Sequence, residues 1–359
     1  MDTIQVAVRV RPLLQKEINS GQAAQWLCTG TSIVAANQTN GSPFVFDHVY
    51  DASCTNFKVY QDLTENIVKQ AMIGFNGTLF AYGQSGSGKT YTIDAMRTYV
   101  INAIYDHIRK CPSREFILRV AYMELYNEHL YDLLTNKSLH LRETPDRTLF
   151  IEGLEEELIL SQDHFYTILK KGNENRTFAA TAQNDRSSRA HCIFRIAIES
   201  RDREDGEDSS VYISQINLVD LAGSEKAGEN SGNRFREGCS INLSLLTLSQ
   251  VIRKLSEGDK NVHINYRDSK LTRLLQNALG GNSRTAILCS VSPSSVEETM
   301  STLRFALNAK RVKNQPKQNE VVPIEAKLKR SLLEIEELKK QIEAMQKGGM
   351  PSFERKPDQ

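Results

Sequence analysis

Gly83, Gln84, Ser85, Gly86, Ser87, Gly88, Lys89 and Thr90 read GQSGSGKT and satisfy the pattern GxxxxGK[ST]. That spacing suits one chemistry, the holding of phosphates. Glycines at 86 and 88 let successive backbone N–H groups turn inward as an anion nest, and the positive end of a following helix adds to the field. A lysine at 89 would reach the β- and γ-phosphates of a nucleoside triphosphate, while the Thr90 hydroxyl would ligate Mg²⁺. A Gly/Ser-rich surface loop has the same composition, so context decides. The motif needs a strand before it and a helix after it; residues 77–83, GTLFAYG, are a short apolar run suited to a buried strand, and the segment beyond Thr90 can start a helix.

The rest of the chain alternates strand-like and helix-like stretches. Residues 4–10, 79–82, 117–125, 192–199, 212–221 and 286–291 are β-branched or apolar-rich. Between them, 56–73, 98–110, 162–172, 241–256 and 295–310 read as helices. This order predicts the α/β class: a P-loop NTPase fold with a central, mostly parallel or mixed sheet and helices on both faces. The charged run RDREDGEDSS at 201–210 separates two strand candidates and predicts a solvated hairpin loop. Beyond residue 314 the pattern changes. Residues 324–347 carry apolar positions at Ile324, Leu328, Ile335, Leu338, Ile342 and Met345, a spacing that fits either a short coiled coil, and so a homodimer, or an amphipathic helix that stays monomeric. The tail from Gly348 reads as disordered.

Composition narrows the function classes. Of 359 residues, 25% are charged and 40% apolar, ordinary for a soluble globular protein, and the net charge of +1 leaves attraction to an acidic partner to local patches. The six cysteines (Cys28, Cys54, Cys111, Cys192, Cys239, Cys289) include no CxxC pair and read as reduced core thiols rather than a zinc site or disulfide framework. The near-neutral balance and the lack of a base-reading motif disfavour nucleic acid. No apolar run approaches a membrane span, and the N-terminus MDTIQVAVRVRP has strand character instead of a secretory signal.

Two further motifs sharpen the reading. Residues 184–191 are NDRSSRAH, and residues 220–225 are DLAGSE directly after the strand-like INLV. A γ-phosphate sensor needs small hydroxyl residues, a flexible glycine and an aspartate at a strand end. Both segments supply these. With VRVRP at 8–12, FVFDHVY at 44–50, YNEHLYDLL at 126–134 and YRDSKLTRLLQ at 266–276, the chain resembles a kinesin motor domain from about Ile4 to Glu320.

The resemblance implies an ATPase stimulated by microtubules, with ATP and Mg²⁺ bound. Arg9, Arg11, Pro12 and Tyr91 would join the phosphate loop in holding nucleotide, Tyr91 by stacking on the adenine. Thr90 and Ser188 would bind Mg²⁺, directly or through water, with Asp220 behind them. Ser187 and the Gly223 N–H would sense the γ-phosphate. Arg189 and Glu225 would pair to close the site, Glu225 relaying a proton from the attacking water, and Asn242 would support the closure. On the filament side Arg267, Lys270 and Arg273 match the tubulin-contacting segment, with Lys226, Arg234 and Arg236 adding to that face and Arg142 and Arg147 to a neighbouring contact.

The implied organisation is a motor domain over 1–311, a neck linker over 312–323 held on the core by Val312, Val321 and Val322, a neck helix over 324–347 and a tail over 348–359. Several departures stand out. Ala190 replaces the usual Ser, Leu243 stands where Lys or Arg is usual, and TIDAMRTYVINAI after Tyr91 implies a shortened loop over the nucleotide. GFNGT at 74–78, CPSREFILRVAYMELYNE from 111, LRETPDRTLFIEGL from 141 and IFRIAIESR from 193 most resemble the centromere-associated (kinesin-7) branch. That implies a plus-end-directed mitotic motor of the cytoplasm and cytoskeleton, at spindle and kinetochore. The core-first order suits the same polarity. Two rival readings are a microtubule binder without processive motility and a kinesin that modulates microtubule ends.

Overall fold

The apolar run at 4–10 alternates between two destinations, with Val6, Val8 and Val10 buried on one side of a sheet and Ala7 on the other. The same period of two sets Leu79 and Ala81 against Phe80 and Tyr82, and Ala286 and Leu288 against Ile287 and Cys289, as required of strands covered on both faces. A computed structural model describes residues 2–37, 42–145, 149–182, 186–203, 210–225, 233–259, 262–321 and 339, with backbone alone along 178–182, 186–187 and 233–242.

In chain order the elements are β1 (Asp2–Thr3), β2 (Gln5–Val10), α1 (Gln15–Asn19), β3 (Trp26–Thr29), β4 (Ser32–Ala35), β5 (Phe44–Val45), β6 (His48–Tyr50), α2 (Asn56–Val59), a π-helical turn (Tyr60–Thr64), α3 (Glu65–Ala71), β7 (Gly77–Tyr82) and α4 (Lys89–Lys110). There follow β8 (Arg114–Tyr126), β9 (His129–Asp132), β10 (Ser138–Glu143), β11 (Leu149–Glu152), β12 (Glu157–Leu158), α5 (Gln162–Ala182), α6 (Arg186–Arg189), β13 (His191–Asp202) and β14 (Val211–Asp220). The chain continues through α7 (Asn233–Glu257), α8 (Lys270–Leu274), β15 (Arg284–Val291), α9 (Glu297–Ala309), β16 (Lys313–Asn314) and β17 (Glu320–Val321).

The main sheet runs β11-β10-β9-β8-β13-β14-β7-β15-β2-β6, with β12 beside β8 and β17 beside β14. From β14 to β6 the pairings are parallel, and from β14 back to β11 antiparallel, which makes the expected mixed sheet. Helices α3, α4 and α5 cover one face through Ile67, Ile93, Val100 and Phe165. The other face carries α7, α8 and α9 through Leu248, Leu271 and Leu303. The β13–β14 pairing extends to Ser200 opposite Tyr212, so the charged run joins antiparallel neighbours as a hairpin, though 204–209 lie outside the described residues.

Several helices differ in extent from their sequence patterns. The stretch 56–73 is broken by the π-helical turn, where Asp62 accepts from the Tyr50 hydroxyl at 3.1 Å and from Lys58 at 2.7 Å. The helix expected from 98 starts at Lys89, directly on the phosphate loop, and runs unbroken to Lys110. No loop interrupts it, in keeping with the shortening expected after Tyr91. Among the described residues, no helix is long and apolar enough to cross a membrane.

At the far end the chain lies back on the sheet. Val312 is fully buried, β16 pairs with β1, Gln318 bridges Phe75, and β17 pairs with the first residues of β14. The expected apolar anchoring is therefore corrected in part: Val321 is half exposed, and the segment is held by amides instead. The Asn314 amide nitrogen donates to Ala278 O at 3.0 Å, Ser283 O at 2.8 Å and Thr285 Oγ1 at 2.9 Å, while its oxygen accepts from Gly280 N at 2.7 Å. Asn319 donates to Gly74 O from both its backbone and side chain, at 2.9 and 3.0 Å. Val322 and the segments 324–338 and 340–359 lie outside the described residues, as do the expected neck helix and tail with them.

Candidate functional site

The phosphate loop follows β7, buried along its whole length, and caps α4. Gly86 and Gly88 adopt φ of +72° and +98°, the left-handed backbone that glycine takes at little steric cost and that curls the loop's N–H groups inward. Lys89 is buried and donates to Gly83 O at 2.7 Å and Gln84 O at 2.8 Å, so its ammonium sits inside the loop's own curve. Burial pulls its pKa down, opposed by the Asp220 and Glu225 carboxylates.

A cavity of about 480 Å³ opens beside the loop, lined by Ser85, Gly86, Lys89, Thr90, Asp94, Asn173, Arg176, Thr177, Ser188, Asp220 and Leu221. Asp220, buried at the end of β14, accepts at a single oxygen from the Thr90 hydroxyl at 2.7 Å and from Arg176 at 2.9 Å. Thr90 and Asp220 thus meet, and Ser188 lines the same cavity. Gly223 N donates to Ser188 O at 3.0 Å, which joins the two switch segments, and the Glu225 carboxylate accepts from Ser85 N at 2.7 Å. That contact shows the loop's N–H presenting to an anion. The buried Ser85 Oγ has no hydrogen-bond partner among the described residues, and Ser85 lines the cavity. Hydroxyls at 90 and 188 beside a buried carboxylate are the oxygen donors that Mg²⁺ prefers, so the residues present fit a magnesium–nucleotide.

The remaining nucleotide residues cluster at the end of β2. Arg9 donates to Thr92 Oγ1 at 2.9 Å and to Cys54 O at 3.0 Å, with its guanidinium 5.7 Å from the ring centre of the exposed Tyr91. Arg11 donates to Gly86 O at 2.7 Å and pairs with both oxygens of Glu17, whose carboxyl it holds down at about 2. Pro12 follows it, exposed. The side chains of Ser187 and Asn242 lie outside the described residues, although α6 and α7 place their backbones.

The basic positions form a second surface. Arg142 lies on β10 paired with Glu152, and its neighbour Glu143 accepts from Arg267 at 2.7 Å and Arg273 at 2.6 Å. Glu128 accepts from Ser269 Oγ at 2.9 Å and from Lys270 N at 2.7 Å. The structure therefore sets the RDSKLTR segment against Glu128 and Glu143, with Arg142 the residue before Glu143 on β10 and paired instead with Glu152; Lys226 and Arg147 lie outside the described residues, and Arg234 and Arg236 are described by backbone alone. Leu243 is half exposed on α7. Sequence reasoning missed Arg176, Asp94 and Glu143, whose partners lie far away in the chain and whose types are unremarkable alone.

Fold and site together define a P-loop domain that binds nucleotide. Residues 9–312 match the family model of the kinesin motor domain. Centromere-associated protein E of Homo sapiens is 45% identical over 356 residues, covering 95% of this chain and 13% of that protein. Kinesin-like protein KIN-7L of Oryza sativa subsp. japonica is 42% identical over 369 residues, covering 96% of this chain and 57% of that one. The chain thus spans less than two thirds of these relatives. A fast kinesin solved with its ATPase mechanism and microtubule interactions in view superposes with a TM-score of 0.82 at 38% identity, covering 90% of this chain and 95% of that one. A KIF14 dimer bound to a microtubule gives 0.83 at 36%, covering 92% and 99%. The chain belongs to the kinesin family. A kinesin motor domain is a microtubule-stimulated ATPase.

Proposed function

We propose that this chain is an ATP-driven microtubule motor of the centromere-associated branch, plus-end directed and mitotic, that couples Mg-ATP hydrolysis to docking of residues 312–323. One observation carries the coupling. Strand β14 ends at Asp220 in the nucleotide site and begins at Val211, which pairs with Val321 of the terminal segment. At about 3.3 Å per residue, one strand spans roughly 30 Å between chemistry and lever.

In this reading the domain runs to 311 and the linker follows. Lys89 and the loop N–H groups hold the phosphates, Thr90, Ser188 and Asp220 place the metal, and Tyr91 with Arg9, Arg11 and Pro12 receives the base. Mg²⁺, when bound, neutralises charge building on the phosphate oxygens. Ser187 and Gly223 sense the γ-phosphate. Arg189 and Glu225 close the site, and Glu225 leaves the Ser85 N–H to take a proton from water, with Asn242 supporting the move. Positioning and opposing charge supply most of the rate. Arg142, Lys226, Arg267, Lys270 and Arg273 meet the acidic filament, and salt weakens that contact. The rice relative's KIN-7 name supports kinesin-7, and the human centromere-associated relative alone supports the spindle and kinetochore location. A neck helix beyond 323 would decide dimerisation.

The test is a gliding assay on polarity-marked microtubules with microtubule-stimulated ATPase measured alongside. Movement with minus ends leading, and Glu225→Ala binding ATP and filaments while losing most stimulated turnover, are expected. A variant with unaltered phosphate release would remove Glu225 from this role.

A further inference from the structure

His191 ends the NDRSSRAH motif and begins β13, yet none of the roles above uses it. Its ring is 3% exposed and both nitrogens are engaged. Nδ1 accepts the backbone N–H of Ala222 at 3.1 Å, and Nε2 lies 2.9 Å from the Ser244 hydroxyl. A ring nitrogen that accepts an N–H carries no proton, so the imidazole is the neutral Nε2–H tautomer and donates to Ser244. Burial agrees with this, pushing the His191 pKa down to about 3.

The three residues sit on three different parts of the machine. His191 follows the segment that holds Ser188, Ala222 lies two residues after Asp220 and one before Gly223, and Ser244 is on α7, next to the exposed Leu243. The segments of Ser188 and Gly223 are also joined by backbone, at 3.0 Å, but that link does not reach α7. A planar ring fixes the separation of its two nitrogens, so a shift of α7 against the nucleotide site must lengthen one of the two bonds. Side chains that could flex, such as glutamine or lysine, would absorb the shift.

We propose that His191 is a positioning residue, a rigid clasp that carries closure of the nucleotide site to α7 and carries filament contact on α7 back to the site. The idea rests on the motor reading. The clasp does not touch nucleotide, so it acts on the coupling between the two surfaces rather than on either alone.

Ser244→Ala removes the far bond and leaves the Ala222 bond in place, and His191→Asn keeps an acceptor for Ala222 N–H while falling short of Ser244. For each, basal ATPase, nucleotide affinity, thermal midpoint and microtubule-stimulated turnover are measured on the same chain. Ser244→Ala is expected to keep basal turnover and nucleotide affinity within about twofold and to lose about fivefold of the stimulation, the factor that one hydrogen bond of ordinary net worth carries. The double variant should be no worse than the more impaired single variant, since both act on one link, and Ser244→Thr, which retains the hydroxyl, should restore stimulation. Stimulation equal to the parent in Ser244→Ala, or basal and stimulated rates falling together with the thermal midpoint, would overturn the clasp. A parent chain that microtubules do not stimulate would instead overturn the motor reading and the clasp with it.

Discussion

Arg97 on α4 is fully buried and its one carboxylate partner among the described residues, Asp94, is 2.6 Å away with its side chain about half exposed. The guanidinium stacks over Tyr122 at 4.8 Å and Phe194 at 5.4 Å from the ring centres, while its Nε and Nη2 have no hydrogen-bond partner among the described residues. Asp94→Ala would strand that charge. Breaking a buried pair from one side costs about 3–5 kcal/mol, because the remaining ion stays desolvated. The two ring faces persist in the variant and are worth about 2 kcal/mol when desolvated, and water can follow the lost carboxylate inward, so we expect a loss of about 2–3 kcal/mol. Arg97→Met removes the charge, keeps most of the volume and should fall within about 1 kcal/mol of the parent. The double variant should therefore recover most of what Asp94→Ala loses. Urea unfolding at one fixed nucleotide concentration reads all three, since ligand alone shifts apparent stability. If Asp94→Ala cost less than Arg97→Met, the arginine would be held by packing and aromatic faces, and the electrostatic reasoning would be wrong.

Lys89→Ala should abolish nucleotide binding in a fluorescent-nucleotide titration while the fold survives; near-parent affinity would refute the phosphate-loop assignment. Asn314→Ala removes an amide with four hydrogen bonds, and should slow gliding several-fold while microtubule-stimulated ATPase stays within about twofold. Val321→Gly, at a half-exposed position, should change both little, and a large loss of speed would restore the apolar anchor. Glu17 is held at about 2 by Arg11 against an ordinary value near 4.5. Its depressed folded value contributes stability that is present above about pH 4.5 and lost as pH falls toward 2, so Glu17→Gln should flatten that window in unfolding curves taken from pH 7 to pH 3.

Much of this was readable from local pattern. The phosphate loop, the strand ending at Asp220 and the buried strand at Leu79–Tyr82 are all short-range signals, and each fell where the sequence put it. The first turns of α4, which the phosphate-loop context offered but the periodic stretch from 98 left out, have a local cause as well. Residues 89–97 carry a lysine, an aspartate and an arginine among their apolar positions, and the buried Lys89 and Arg97 spoil the amphipathic stripe that periodicity seeks. Long-range polar contacts were not legible. Arg176 meets Asp220 across 44 residues and Glu143 meets Arg267 across 124, and no spacing rule links such pairs. The linker misled because valines at 321 and 322 look like anchors, whereas the register with β14 leaves Val321 turned toward solvent.

The polar seating of that terminal segment sets its thermal behaviour. Beyond Asn314 it is held through Gln315 N to Gly281 O, Lys317 N to Asn282 Oδ1, Gln318 Nε2 to Ile73 O and the paired amides of Asn319, and its own residues up to Val321 are exposed or half-buried. Covering apolar surface is what gives an association its negative heat-capacity change. Docking of residues 315–321 is therefore expected to carry a small heat-capacity change and a favourable enthalpy set against ordering entropy. Its van't Hoff plot should be straight, and chilling the protein should seat the segment more firmly rather than loosen it, so that any slowing in the cold belongs to the chemistry of the site.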